Sequence, residues 1–243
     1  MIKVAIVTGG SKGIGKALVK TYSENGYTVY SIARTKNTEL KNKNIKHILF
    51  DLSNTIELEE MVAKMFKKIK LKELDSITLI NNAGSLGKIK SIEKVDVETV
   101  QKTIALNTTA PMVLSALFIR NTSKLSCIKK IINISSGAAK NPYAGWTMYC
   151  STKAALDMMT KTIALEQQEL PLGVKIISLY PGVVETAMQE KIRKTPIKDF
   201  KSVGKFIDLK EQNLLADPID VASAIFSLDE KNQFANGEVV SLK

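Results

Sequence analysis

The chain has a single histidine, His47, and two cysteines, Cys127 and Cys150, in 243 residues. With no second histidine and no closely spaced cysteine pair, the ligand spacings of a zinc site are missing, so no metal site is expected. Two isolated thiols are too few for a disulfide-stapled secreted fold. They are expected to be free, in a reducing, cytoplasmic setting. Apolar residues never run to about 18 in succession, which predicts no membrane span. The opening MIKVAIVTGG goes straight into a glycine turn and does not read as a signal peptide. Basic residues outnumber acidic ones by 35 to 24, a formal net charge of +11. No basic block occurs, however, and no interleaving of basic with aromatic residues. Scattered lysines such as Lys16, Lys20, Lys41 and Lys64 read as a solvated surface and not as a nucleic-acid footprint.

What is present is ordinary globular composition, 44% hydrophobic and 24% charged, at a length that can bury one substantial core. Short β-branched runs at 2–7, 27–33, 45–50, 77–80, 130–134, 174–179 and 239–242 alternate with helical patterns. One such pattern places Leu58, Met61, Val62, Met65 and Ile69 on one face. Ser53 is expected to cap that helix. Strand–helix alternation throughout predicts an α/β fold, a Rossmann-type doubly wound parallel sheet of seven strands with helices on both faces, in one domain spanning 1–243. A helix over 95–119 is expected to bend at Pro111. Its second half, APMVLSALFI, is apolar nearly all round, which implies contact with another subunit in a homodimer or homotetramer. Residues 183–215, broken by Pro196 and Gly204, are too long for a plain loop and read as a short-helix lid. Asp217 and Pro218 then open a helix as N-cap and first helical residue.

Three stretches carry chemistry. TGGSKGIG, Thr8 to Gly15, follows the first strand and opens a helix, the context in which glycines admit a pyrophosphate to free helix N–H groups. At the end of the second strand, where NAD-binding folds carry an acid for the ribose, stand Ala33 and Arg34. Arg34, with Lys12 nearby, suits the extra phosphate of NADP(H); as an ordinary surface residue it would need no ligand. Tyr149 and Lys153 lie one helical turn apart, so an ammonium stands beside a phenol and is expected to lower its pKa toward a working range. Ser136 ends the preceding strand, placed to hydrogen-bond a substrate oxygen. Tyr-x-x-x-Lys also arises by chance as a solvated pair, so its meaning rests on the other two stretches.

These stretches, with Asn82-Ala83-Gly84, Asn107 and Pro181-Gly182 before Thr186, together resemble the short-chain dehydrogenase/reductase family over nearly the whole chain. The resemblance implies Tyr149 as general acid, Lys153 as its activator and ribose ligand, Ser136 as holder of the carbonyl, and Asn107 as holder of a water linking Lys153 to solvent. It implies that Gly9, Ser11, Lys12, Gly13, Ile14 and Gly15 cradle the pyrophosphate and that Asp51 and Leu52 flank adenine. Asn82, Ala83 and Gly84 would line the groove, with Pro181, Val184 and Thr186 at the nicotinamide.

Within the family, NPYAGWTMYCSTKAALDMM and PGVVETAMQEKIR resemble the sepiapterin reductase group. With SVGKFIDLKEQNLL the likeness narrows to reductases of aromatic 1,2-diketones. In the region Phe234-Ala-Asn-Gly-Glu238 no acid is clearly placed to anchor a pterin amino group. Leu86, Tyr143, Trp146 and Met188, with Ser136 and Tyr149, are the expected substrate contacts. Phe200 and Phe206 either join them or simply pack the lid. The expectation is an NADPH-dependent reductase of a small-molecule ketone or diketone. A pterin reductase and a non-catalytic dinucleotide sensor are the alternatives.

Overall fold

The computed structural model describes residues 2–242. β1 (Ile2–Thr8), β2 (Thr28–Ala33), β3 (Ile45–Leu49), β4 (Leu74–Asn81), β5 (Ile128–Ile134), β6 (Lys175–Tyr180) and β7 (Val239–Ser241) form one parallel sheet. Their order is β3-β2-β1-β4-β5-β6-β7. Alternate side chains of β1 enter opposite layers: Val4 and Ile6 on one face, Ala5 and Val7 on the other. That is why the sequence runs of this strand are apolar throughout and not alternating.

α1 (Gly13–Glu24) and α8 (Pro218–Glu230) cover one face, where Leu18, Tyr22, Val221 and Ile225 meet Val29, Ile132 and Ile177. α2 (Leu58–Phe66), α4 (Ala110–Thr122) and α5 (Thr147–Gln168) cover the other, bringing Met61, Leu114, Phe118 and Ala164 onto Ile6, Ile77 and Ile131. The two halves wind away from β1 in opposite directions. This leaves a crevice at the carboxyl ends of β1 and β4, where such sheets take their ligands. At the opposite end, Lys130 and Asp229 form a buried ion pair at 2.5 Å, and the Tyr22 hydroxyl donates to the same carboxylate at 2.6 Å.

Two local expectations give way. The helix after β4 is α3 (Val97–Ile104), a π turn over Ala105–Thr109, then α4, so the irregularity precedes Pro111. Pro111 sits in the first turn of α4. Ser53 does not cap α2, which begins at Leu58 after Glu57. Its N–H and hydroxyl instead donate to Asp51 Oδ1 at 2.9 and 2.8 Å, a local Asx turn that outcompetes the helix. Asp217 does cap α8, accepting from the Ile219 N–H at 2.7 Å. The continuous helix Val97–Thr122 is long and apolar enough, by length and composition, to cross a membrane. Here Leu114, Leu117 and Phe118 spend that apolar surface in the core. Within 183–215 lie α6 (Ala187–Arg193) and α7 (Val203–Glu211), joined through Glu185, which pairs with Arg193 and Lys210 at 2.8 Å each.

Candidate active site

The crevice is assembled by hydrogen bonds between strand ends. The Thr8 hydroxyl accepts from the N–H groups of Asn82 and Ala83 at 2.9 and 3.0 Å, and the Asn82 amide donates to the Thr8 carbonyl at 2.9 Å. The glycine turn and the Asn82-Ala83-Gly84 segment are thereby clipped together. A Cβ on Gly9, at φ +71°, would stand 3.0 Å from Ala83 Cα, and one on Gly15 would stand 2.1 Å from the Gly9 carbonyl oxygen. Helix α1 thus starts directly on the end of β1, and no side chain caps it at Lys12. Its leading N–H groups are left for a ligand of negative charge. These features fit a dinucleotide pyrophosphate.

Around the turn, Asn37 donates to the Ser11 carbonyl at 2.8 Å, and Gly13 lies against Thr186 at the start of α6. Arg34 and Lys12 are both exposed at this end of the sheet. The Asp51 carboxyl is held below the usual range by its bonds to Ser53, with Arg34 adding to the effect. Leu52 is turned into the core. Val184 is buried beneath the crevice side of β6, bridged to Ala216.

Tyr149 and Lys153 occupy successive turns of α5, with Lys153 Nζ 5.7 Å from the centre of the Tyr149 ring. The Lys153 ammonium donates to the Ile134 carbonyl at 2.7 Å, which fixes it to the end of β5. Ser136 follows that strand, its hydroxyl accepting from the Ala138 N–H at 3.2 Å. Burial pushes the Tyr149 phenol up, opposed by the Ser136 hydroxyl. Burial likewise pushes Lys153 down to about 8, opposed by Asp157. The expected lowering of the phenol is therefore reversed. Spacing revealed the neighbour but not that both groups leave water, and desolvation disfavours both charged forms.

The Asn107 side chain is tied down by three hydrogen bonds. Its amide donates to the Ser85 carbonyl at 2.7 Å and to Thr152 Oγ1 at 3.1 Å, and it accepts from the Ser85 N–H at 2.9 Å. The side chain clamps the segment after β4 to α5. Gly84 lies between the two groups, a Cβ there falling 3.6 Å from both Asn107 Oδ1 and Lys153 Nζ. Thr8, Ser85 and Thr152 were not legible as parts of this framework, because their partners are remote in sequence.

Beside Tyr149, Leu86, Trp146, Ile192, Phe200 and Phe206 form a buried cluster, with Tyr143 and Met188 partly buried against it. Trp146 stacks on Phe200 at 4.7 Å and meets Tyr149 edge-on at 5.6 Å. Phe200 is wholly buried, so it and Phe206 pack the α6–α7 segment onto Trp146. The buried indole N–H of Trp146 has no hydrogen-bond partner among the described residues. Lys191 of α6 reaches across to the Gly87 carbonyl at 2.7 Å. A separate groove of about 800 Å³ lies between β3 and α2, lined by His47, Phe50, Met61 and Lys64 among others. Its Glu60 and Lys64 pair with each other at the surface, and it holds no counterpart of the Tyr149 constellation.

A family model described as short chain dehydrogenase matches residues 3–197, and the chain belongs to that family. It is an oxidoreductase acting on a carbonyl/alcohol group, with a nicotinamide dinucleotide as cofactor. Among curated proteins it is similar to benzil reductase ((S)-benzoin forming) of Bacillus cereus, 40% identical over 99% of both chains. It is also similar to sepiapterin reductase of Mus musculus, 29% identical over 96% of this chain and 94% of the relative. The solved structure of ElxO with NADP bound superposes with a TM-score of 0.80 at 27% identity, covering 99% of this chain and 97% of the other.

Proposed function

We propose that the protein is an NADPH-dependent reductase of a small aromatic ketone or 1,2-diketone, similar in activity to the benzil reductases it resembles. The observation that carries this reading is the position of Tyr149: a buried phenol beside Ser136, one turn from Lys153 and edge-on to Trp146 of an aromatic cluster. Tyr149 carries the proton to be given, and the Lys153 ammonium one turn away is the group that eases its loss. Ser136 holds the substrate oxygen, and Tyr149 gives its proton to that oxygen. Lys153 stabilises the phenolate left behind and binds the nicotinamide ribose. The nicotinamide itself supplies the hydride.

Gly9, Ser11, Lys12, Gly13, Ile14 and Gly15 hold the pyrophosphate, and Asp51 and the Leu52 backbone flank adenine. Asn82, Ala83 and Gly84 line the groove. Pro181, Val184 and Thr186 hold the nicotinamide, and Arg34 with Lys12 meets the extra phosphate. Leu86, Tyr143, Trp146 and Met188 contact the substrate. The aromatic faces of Tyr143 and Trp146 beside Tyr149 suit an aromatic substrate. A pterin is less well served, since Glu238 already accepts from the Ala235 N–H at 3.0 Å. Residues 183–215 act as the lid of a one-domain enzyme.

The outer faces of α4 and α5 expose Met112, Met158 and Leu165, which suits burial in a homodimer or homotetramer. The free thiols of Cys127 and Cys150 agree with a cytoplasmic setting. The experiment is NADPH oxidation against a panel of diketones, ketones and pterins, with Tyr149→Phe as control. Phe keeps the ring and removes the transferable proton, so activity should fall at least about a hundredfold with cofactor still bound. A fully active variant would remove Tyr149 from the mechanism.

A further inference from the structure

Asp157 is a carboxylate buried to 8% exposure on the same face of α5 as Tyr149 and Lys153, one turn beyond the lysine. A carboxylate is seldom buried so deeply without a task, because its desolvation must be repaid. Its two oxygens are divided between two residues of β6. Ser178 Oγ donates to Oδ1 at 2.6 Å, and the Tyr180 hydroxyl donates to Oδ2. Tyr180 is the last residue of β6, immediately before Pro181-Gly182. The carboxylate therefore ties the helix that carries Tyr149 and Lys153 to the strand end that opens toward Thr186.

The surroundings of Lys153 give the carboxylate a second task. The Lys153 ammonium bonds to a neutral carbonyl, that of Ile134. The end of β5 and the residue after it offer Ile134 and Ser135, and the π turn offers Asn107, none of them charged. Among titratable groups nearby, Tyr149 and Cys150 lie on its own helix and Tyr180 on β6, its phenol pushed up by burial and by Asp157. Lys140, from the turn after β5, stands over the Tyr180 ring at 5.3 Å and is of like sign to Lys153. Asp157 is the acid in this set.

We infer that Asp157 is a positioning residue for the proposed reductase: it supplies the buried counter-charge that keeps Lys153 cationic and pins the Tyr180–Gly182 turn against α5. The inference rests on the reductase reading only for the consequence in catalysis; the charge and the tether are properties of the chain itself. Burial alone drives Lys153 toward its neutral form, and the attraction of Asp157 is what opposes it. A neutral Lys153 would leave the departing Tyr149 proton uncompensated.

The test is a titration of Lys153 in protein carrying 13C-labelled lysine, its resonance assigned by its loss in Lys153→Arg, in wild type, Asp157→Asn and Asp157→Glu. Asp157→Asn should lower the Lys153 midpoint by about one pH unit, and Asp157→Glu should restore most of it. The alkaline limb of kcat should move with the midpoint, a shift that loss of packing alone does not produce. Tyr180→Phe keeps the charge and cuts the tether. It should leave the Lys153 midpoint in place and raise the KM for cofactor several-fold. An unchanged midpoint in folded Asp157→Asn overturns the inference. If Asp157→Asn does not fold, Tyr180→Phe with wild-type cofactor KM overturns it. Wild-type protein inactive on every carbonyl would instead defeat the proposed function, with the titration still readable.

Discussion

Replacing Lys153 by Met should stabilise the protein at neutral pH while disabling it. Lys153 is buried and held to about 8 against an ordinary 10.5. Holding the ammonium that far below its ordinary value means that its burial costs about 3 kcal/mol at pH 7. Met fills similar space without the charge. It forfeits the bond to the Ile134 carbonyl, a loss of about 1 kcal/mol, so the net gain is about 2 kcal/mol. Between about pH 8 and 10.5 the unfolded chain holds the lysine proton that the folded chain has released, so this group's contribution to stability rises with pH. By pH 9.5 the penalty should shrink to about half, and the two proteins should converge. The assay is urea unfolding of both proteins at pH 7 and 9.5, compared as a difference so that other titrations cancel, with NADPH oxidation alongside. A variant less stable than wild type at pH 7, or a gap that does not narrow with pH, would refute the assignment of Lys153 as a buried, strained cation.

Gly15→Ala places a Cβ where the Gly9 carbonyl oxygen stands, so the turn must move, and the Kd for dinucleotide should rise at least about tenfold by fluorescence titration. Arg34→Ala should weaken NADPH by about tenfold and leave NADH nearly unchanged, read as a ratio of kcat/KM; equal effects on both would detach Arg34 from the extra phosphate. Asp229→Asn strands the Lys130 ammonium in the core and should cost about 3–5 kcal/mol in urea unfolding, with the added change Lys130→Met recovering part of it.

The sheet was legible because its central strands are buried on both faces, which writes them as unbroken β-branched runs, and because the glycine turn marks where β1 ends. Asp217 and Pro218 opened α8 on local chemistry alone. What stayed hidden depends on remote partners. Thr8 meets Asn82 and Ala83 only once β1 and β4 lie side by side, and Asn107 meets Ser85 only across the crevice. Burial is equally non-local: helical spacing set Lys153 beside Tyr149 but could not tell that both are withdrawn from water, which reversed the expected direction for the phenol. At Asp51 and Ser53 the failure was local, since an Asx turn and a helix cap compete for the same side chains and sequence does not say which wins.

The π turn at Ala105–Thr109 is one residue wider than a regular turn. Removing a single residue there would let the helix close into a uniform spiral with nearly the same composition. Everything beyond would then rotate by about 100°. Leu117 would swing to the exposed place of Ala116, and the half-exposed Met112 would turn inward to the place of Pro111. One surplus residue thus acts as the indexing pin of the helix, setting at once which flank meets the sheet, which is left facing outward, and where Asn107 bites.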